Sequence, residues 1–148
     1  MRVIAREIIE AAPERVSSLY RDYARWPQLF PMTIRAVRLI RDEGATKTIE
    51  VAHATAGTVV NVMRAVSPDE IELREFKRRY DATFTNRFDR HARGTRYTVT
   101  ADVKLKGWLR ALAFIAAPIA RRQITRFVLL PMKRRAESLQ SSRGAALR

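Results

Sequence analysis

Tyr97-Thr98-Val99-Thr100-Ala101-Asp102-Val103-Lys104-Leu105, followed after Gly107 by Trp108-Leu109-Arg110-Ala111-Leu112, is where the chain changes period. Up to Leu105 the residues alternate. Tyr97, Val99, Ala101, Val103 and Leu105 share one face, and Arg96, Thr98, Thr100, Asp102 and Lys104 share the other, as in a half-buried strand. Beyond Gly107 the apolar spacing lengthens to about 3.6. Trp108, Leu112, Ile115, Ile119, Gln123, Ile124, Phe127 and Val128 then form one stripe, which predicts a long amphipathic helix over 107–139. Pro118 and Pro131 are expected to kink or divide it. Gln140 to Arg148 reads as a flexible tail. A sheet with one apolar face must be covered, and this helix is the only large partner available.

Working back from Tyr97, turn-forming clusters recur at intervals near twelve residues: Asp42-Glu43-Gly44, Thr55-Ala56-Gly57, Ser67-Pro68-Asp69, Arg79-Tyr80-Asp81 and His91-Ala92-Arg93-Gly94. The runs between them are rich in Thr, Val, Ile, Phe and Tyr, so six consecutive strands joined by short turns are expected. Residues 2–10 predict a further strand, ending at Ala11-Ala12-Pro13. Proline in a first helical turn sacrifices no hydrogen bond, and Glu14 suits the positive end of the helix dipole. A helix therefore opens at Pro13, and a second short one is expected over Asp22–Leu29. The fold class is α+β, with about seven antiparallel strands, two short helices after the first strand, and one long C-terminal helix. Neither a repeat nor a linker divides it, so residues 1–139 are expected to form one domain.

The composition is consistent with this. The 148 residues are 47% hydrophobic and 30% charged, too apolar for a disordered chain. There is no Cys, which excludes disulfide scaffolds, iron–sulfur clusters and thiolate zinc sites. The charge at once beyond Met1 argues against a signal peptide, and Trp108–Ala120 is too short to span a bilayer, so a cytoplasmic location is expected.

The segment Tyr20-Arg21-Asp22-Tyr23-Ala24-Arg25-Trp26-Pro27-Gln28-Leu29-Phe30-Pro31 adds a local pattern. Together with Ala12-Pro13-Glu14-Arg15-Val16 and Gly94-Thr95-Arg96-Tyr97, it resembles the helix-grip superfamily over residues 2–139. That group includes START lipid-transfer domains, birch-pollen-allergen-like proteins and the bacterial polyketide cyclase/dehydrase (SRPBCC) proteins. The resemblance implies a curved sheet wrapped on the C-terminal helix with an apolar cavity between them. These motifs identify a fold and leave the activity open.

The chemistry-bearing motifs are few. All five glycines are isolated, so neither a P-loop nor a dinucleotide fingerprint occurs. With only His53 and His91 as imidazoles, no metal site is expected, and no cofactor is implied. What remains is a set of polar groups on otherwise apolar strand faces. His53 shares parity with Ile49 and Val51, Asn61 with Val59 and Met63, and Asn86 lies between Phe84 and Phe88. A ligand site is therefore expected from Trp26, His53, Asn61, Phe84, Asn86, Phe88, Tyr97, Trp108 and Leu112. Its occupant would be a hydrophobic small molecule: a lipid, quinone, sterol-like or polyketide-like compound, bound or transferred. Without a catalytic constellation, binding is favoured over enzymatic activity. The alternative is a polyketide aromatase, cyclase or dehydratase using His53 as acid/base, since its ordinary pKa lies near working pH.

The net charge of +14 is unevenly placed: eleven cations and a single acid, Glu137, fall from Lys104 onwards. Arg121, Arg122, Arg126, Lys133 and Arg134, together with the apolar Phe114, Leu129 and Leu130, lie off the core stripe. They are read as a face that could rest on an anionic membrane surface, giving a third reading as a membrane adaptor. No nucleic-acid signature accompanies the charge, so no specific nucleic-acid partner is expected.

Overall fold

In the computed structural model, which describes residues 1–148, alternation and turn chemistry produce one seven-stranded antiparallel sheet. β1 (Arg2–Ile9) is followed by α1 (Pro13–Arg21), a 3₁₀ turn (Tyr23–Arg25) and α2 (Trp26–Leu29). Then come β2 (Ile34–Glu43), β3 (Thr46–His53), β4 (Gly57–Ser67), β5 (Glu70–Phe76), β6 (Tyr80–His91) and β7 (Gly94–Leu105). Their order in space is β1-β7-β6-β5-β4-β3-β2, so the first strand pairs with the last. The inward faces follow the expected parity: Ile49 and Val51, Val59 and Met63, Ile71 and Leu73, and Tyr97, Val99 and Ala101 are all buried.

α1 closes one end of the sheet. Pro13 stands in its first turn with Glu14 beside it. The Ser17 hydroxyl donates to the Pro68 carbonyl at 3.2 Å and Arg21 to the Ser67 carbonyl at 2.8 Å, holding the helix to the β4–β5 turn. The β6–β7 turn crosses the exit of β1. Gly94 has φ +132°, and a Cβ there would run into the backbone of Ile9 and Ala11. Only glycine fits such an approach, which gives Gly94-Thr95 a physical role. Thr95 adds a buried hydrogen bond to the Ala11 carbonyl at 2.6 Å.

The C-terminal helix is long, as expected, but its interior differs from a simple 3.6-residue stripe. It opens as a 3₁₀ segment (Gly107–Leu112), becomes α3 (Ala113–Ile124), widens to a π segment (Thr125–Leu129) and continues as α4 (Leu130–Ala146). Pro118 sits inside α3, and Pro131 stands at the start of α4, directly after the π segment. Pro131 has no N–H to return to the preceding turn, and the wider π turn absorbs that loss.

Two consequences correct the sequence reading. In the 3₁₀ segment, with three residues per turn, the expected stripe does not run through. Trp108 is 76% exposed and Leu112 is exposed as well. The π segment carries one extra residue, so the buried stripe steps five positions, from Ile124 to Leu129, before continuing to Met132 and Ala136. Leu129, expected on the outer face, is therefore fully buried.

Lys133 moves for the same reason. Its Nζ donates to the Ile8 carbonyl at 2.6 Å and pairs with Glu7 at 3.5 Å and Glu137 at 3.3 Å, tying α4 to β1. It is not a free surface cation. The segment expected to be a flexible tail from Gln140 is helical as far as Ala146. There Ser141 and Ser142 return their hydroxyls to the carbonyls of Glu137 and Ser138.

Candidate functional site

Between the sheet and the C-terminal helix lies a cavity of about 530 Å³, and 19 of the 26 residues lining it are hydrophobic. Another groove, between α1 and α4, is larger at about 780 Å³. Only 5 of its 14 lining residues are hydrophobic, so it is a polar surface cleft. The apolar cavity has the size and chemistry of a small-molecule site. α2 supplies Trp26, and α3 contributes Ala116, Ile119, Ala120, Gln123 and Ile124. Ile119 and Gln123 are also exposed, and so mark the mouth.

Of the residues expected to form the site, Trp26, His53, Asn61, Phe84 and Asn86 line the cavity. Phe88 and Tyr97 lie behind that lining. Both are fully buried and stacked on each other with ring centroids 4.8 Å apart. They support the wall and are not part of it. Trp108 and Leu112 do not reach the cavity at all, because of the 3₁₀ segment described above.

The two amides do different things. Asn86 accepts from the Tyr97 hydroxyl at 2.6 Å and donates to the Tyr20 oxygen at 3.1 Å. Burial raises the pKa of both tyrosines, Tyr20 with opposition from its bond to Asn86, so both stay protonated. This network leaves Asn86 with a partner on both sides of its amide and fixes α1 to the sheet. Asn61 is equally buried, yet its Oδ1 has no hydrogen-bond partner within the protein, and neither has His53 Nε2. Buried polar atoms are normally paired, so these two are unmet hydrogen-bonding positions on the cavity lining. Burial, and then the charge of Lys77, push the His53 pKa below its ordinary 6.5, against the opposing pull of Glu75 and the Thr33 carbonyl. The imidazole is thus neutral at neutral pH, and with its one proton on the nitrogen that faces the Thr33 carbonyl, Nε2 is left as an acceptor.

A second polar cluster on the lining was not anticipated. Glu75 is buried and lies directly across from Asn61 in the β4–β5 ladder. It accepts from the Tyr80 hydroxyl at 2.8 Å and pairs with Lys77 at 2.9 Å. Burial acts to lower the Lys77 pKa, but its bonds to Tyr80 and Glu75 prevail and raise it. The Tyr80 pKa is raised, chiefly by burial. The signal was present in the sequence: Glu75 follows Ile71 and Leu73 at spacing two, which places it on the inward face.

The sequence matches no protein-family model and no curated protein. Solved structures do match. They include the Zhui aromatase/cyclase from Streptomyces sp. R1128 (14% identity, TM-score 0.74, covering 93% of each chain). A START superfamily protein from Mycobacterium smegmatis matches at 15% identity and TM-score 0.69, covering 93% of this chain and 98% of that one. Ara h 8.0201 matches at 12% identity and TM-score 0.71, again covering 93% and 98%. At such identities the likeness speaks for architecture, and it agrees with the sheet order and the long terminal helix. The chain has the helix-grip fold of START-like proteins, polyketide aromatase/cyclases and Ara h 8.

Proposed function

We propose that the chain binds or transfers a hydrophobic small molecule with a polar end, held in the cavity between the sheet and the C-terminal helix. The observation that carries this reading is an apolar cavity with two unpartnered buried polar atoms, Asn61 Oδ1 and His53 Nε2. The apolar wall supplies affinity by removing ligand surface from water. The two polar atoms orient it, Asn61 Oδ1 and His53 Nε2 each accepting a hydrogen bond from a donor group of the ligand. Glu75, fixed by Lys77 and Tyr80, provides a charged rim to the same wall.

The test is displacement of an environment-sensitive fluorophore from the cavity by a panel of hydroxylated and non-hydroxylated lipids, quinones and polyketide-like aromatics. Asn61→Leu should weaken hydroxylated ligands by roughly tenfold and leave purely apolar ones nearly unchanged. Ala120→Phe should block both by filling the cavity. A wild-type protein that takes up no member of the panel, or an Asn61→Leu variant indistinguishable from it on every ligand, would remove the basis for the reading.

A second reading rests on His53 itself. A neutral imidazole at the edge of an apolar cavity, with Glu75 on the same lining, is able to exchange a proton with a bound carbonyl compound, as an aromatase, cyclase or dehydratase requires. His53→Gln separates the two. An enzyme loses turnover while retaining affinity, whereas a carrier changes in affinity alone.

A further inference from the structure

The mouth of the cavity continues into an exposed apolar patch that the fold leaves uncovered. Trp108 is 76% exposed and Phe114 75%, with Ile115 and Ile119 at least half exposed. On α3, Phe114, Pro118 and Arg122 follow at i, i+4, i+8, with Ile115 and Ile119 one position on, so they share the helix's outer side. At the same end of the sheet, Phe76, the last residue of the central strand β5, is 60% exposed. The β5–β6 turn is held against the start of the 3₁₀ segment by the Lys106 amide, which donates to the Arg79 carbonyl at 2.9 Å, and by Lys106 Nζ on the Lys77 carbonyl.

The charge around this patch has one sign. Arg78, Arg79, Lys104, Arg110, Arg121 and Arg122 are all exposed, and none forms an ion pair. The two acids at this end are already committed, Glu75 to Lys77 and Asp81 to Lys106. Some arginines elsewhere are matched, as on the outer face of the sheet where Arg2 pairs with Asp102, Arg38 with Glu50 and Arg87 with Asp89. Arg126 and Arg134 are unpaired as well, but on their face Leu129 is buried, whereas here the unpaired cations stand beside exposed aromatic and aliphatic side chains.

We propose that this end of the molecule, and not the Arg126–Arg134 face of the helix, docks on an anionic phospholipid bilayer. Trp108, Phe114 and Ile115 would enter the interface while the surrounding cations meet lipid headgroups. Apolar residues ringed by Lys and Arg are what such a surface selects, since hydrophobic insertion and electrostatic attraction then act together. Ile119 belongs both to the patch and to the cavity lining, so docking sets the cavity mouth against the membrane. No helix is long and apolar enough to cross a membrane, and contact of this kind is interfacial.

The experiment compares co-sedimentation with vesicles of phosphatidylcholine alone and of phosphatidylcholine mixed with an equal part of phosphatidylglycerol, using the full chain without ligand. Binding to the anionic vesicles should be roughly tenfold tighter or more, with a blue shift of tryptophan emission. That shift reports Trp108, because Trp26 is buried throughout. Phe114→Ser with Ile115→Ser should abolish the shift. Arg121→Gln with Arg122→Gln should weaken binding far more than Arg6→Gln with Arg96→Gln, which removes the same charge from the outer face of the sheet. Equal binding to both vesicles, no shift, or equal effects of the two arginine pairs would overturn the proposal. So would self-association without lipid that protects Trp108, which would make a second copy of the chain the occupant. Vesicle binding is read without any cavity probe, so its outcome is separate from that of the ligand-displacement assay.

Discussion

Asn61 and Asn86 stand on adjacent parts of one sheet, both buried, and only one of them is spoken for. Period-two parity places both inward, but parity does not say which buried amide finds a partner. That is decided by Tyr20 and Tyr97, which reach Asn86 from α1 and β7 and have no counterpart beside Asn61. Glu75 was equally legible by its spacing from Leu73. An acid on an apolar face is read more readily as a turn residue, and the Lys77 and Tyr80 that make its burial tolerable lie across a turn. His53 yields a prediction at this scale. Its folded pKa is depressed below 6.5, mainly by burial, so the unfolded chain takes up a proton more readily. The resulting stability is present above about pH 6.5 and is lost as pH falls through the folded pKa. Urea denaturation at a series of pH values should show this decline in wild type and a flatter profile in His53→Gln across the same window. Parallel profiles would mean that His53 is not the group responsible.

Among the elements, the strands were legible in number and succession and the terminal helix only in part. The turn expected at Arg79-Tyr80-Asp81 falls instead over residues 77–79, because Tyr80 already opens β6. The succession of β2 to β7 follows from alternation punctuated by turn residues, three of them glycines with positive φ, Gly44, Gly57 and Gly94. Helix phase has no such punctuation. A 3₁₀ start and a π turn each shift the angular position of every residue beyond them, and neither has a compositional mark except the proline after the second. This is why Trp108 and Leu112 were assigned to the cavity and Leu129 and Lys133 to the surface. The corrected phase predicts that neighbouring cations behave oppositely. Lys133→Ala removes the bond to the Ile8 carbonyl and leaves Glu7 without its partner, costing about 1–3 kcal/mol of stability. Arg134→Ala, exposed and without an ion pair, should stay within about 0.5 kcal/mol. Denaturation midpoints of the two variants check this directly, and equal losses would contradict the observed phase.

At the scale of the whole molecule, the proposed ligand site lies in the apolar interior and the proposed bilayer contact at its mouth, so the two can be tested apart. A ligand that enters the cavity binds the native state alone, so it should raise the thermal midpoint in proportion to the logarithm of its concentration. A compound that displaces the fluorophore without shifting the midpoint would be binding elsewhere. The pairing of β1 with β7 reaches further than the static picture. Arg2 lies opposite Asp102, and all eight residues of β1 find their ladder partners between Thr95 and Asp102. During synthesis at ~5–20 residues per second, β1 therefore waits on the order of ten seconds with its backbone unpaired. Folding of this chain is a late, long-range closure, of the kind that is slow because the loop must be closed before its contacts stabilise it. In the meantime β1 depends on Arg2, Arg6 and Glu7, spaced along an otherwise apolar strand, to keep it from pairing with other chains.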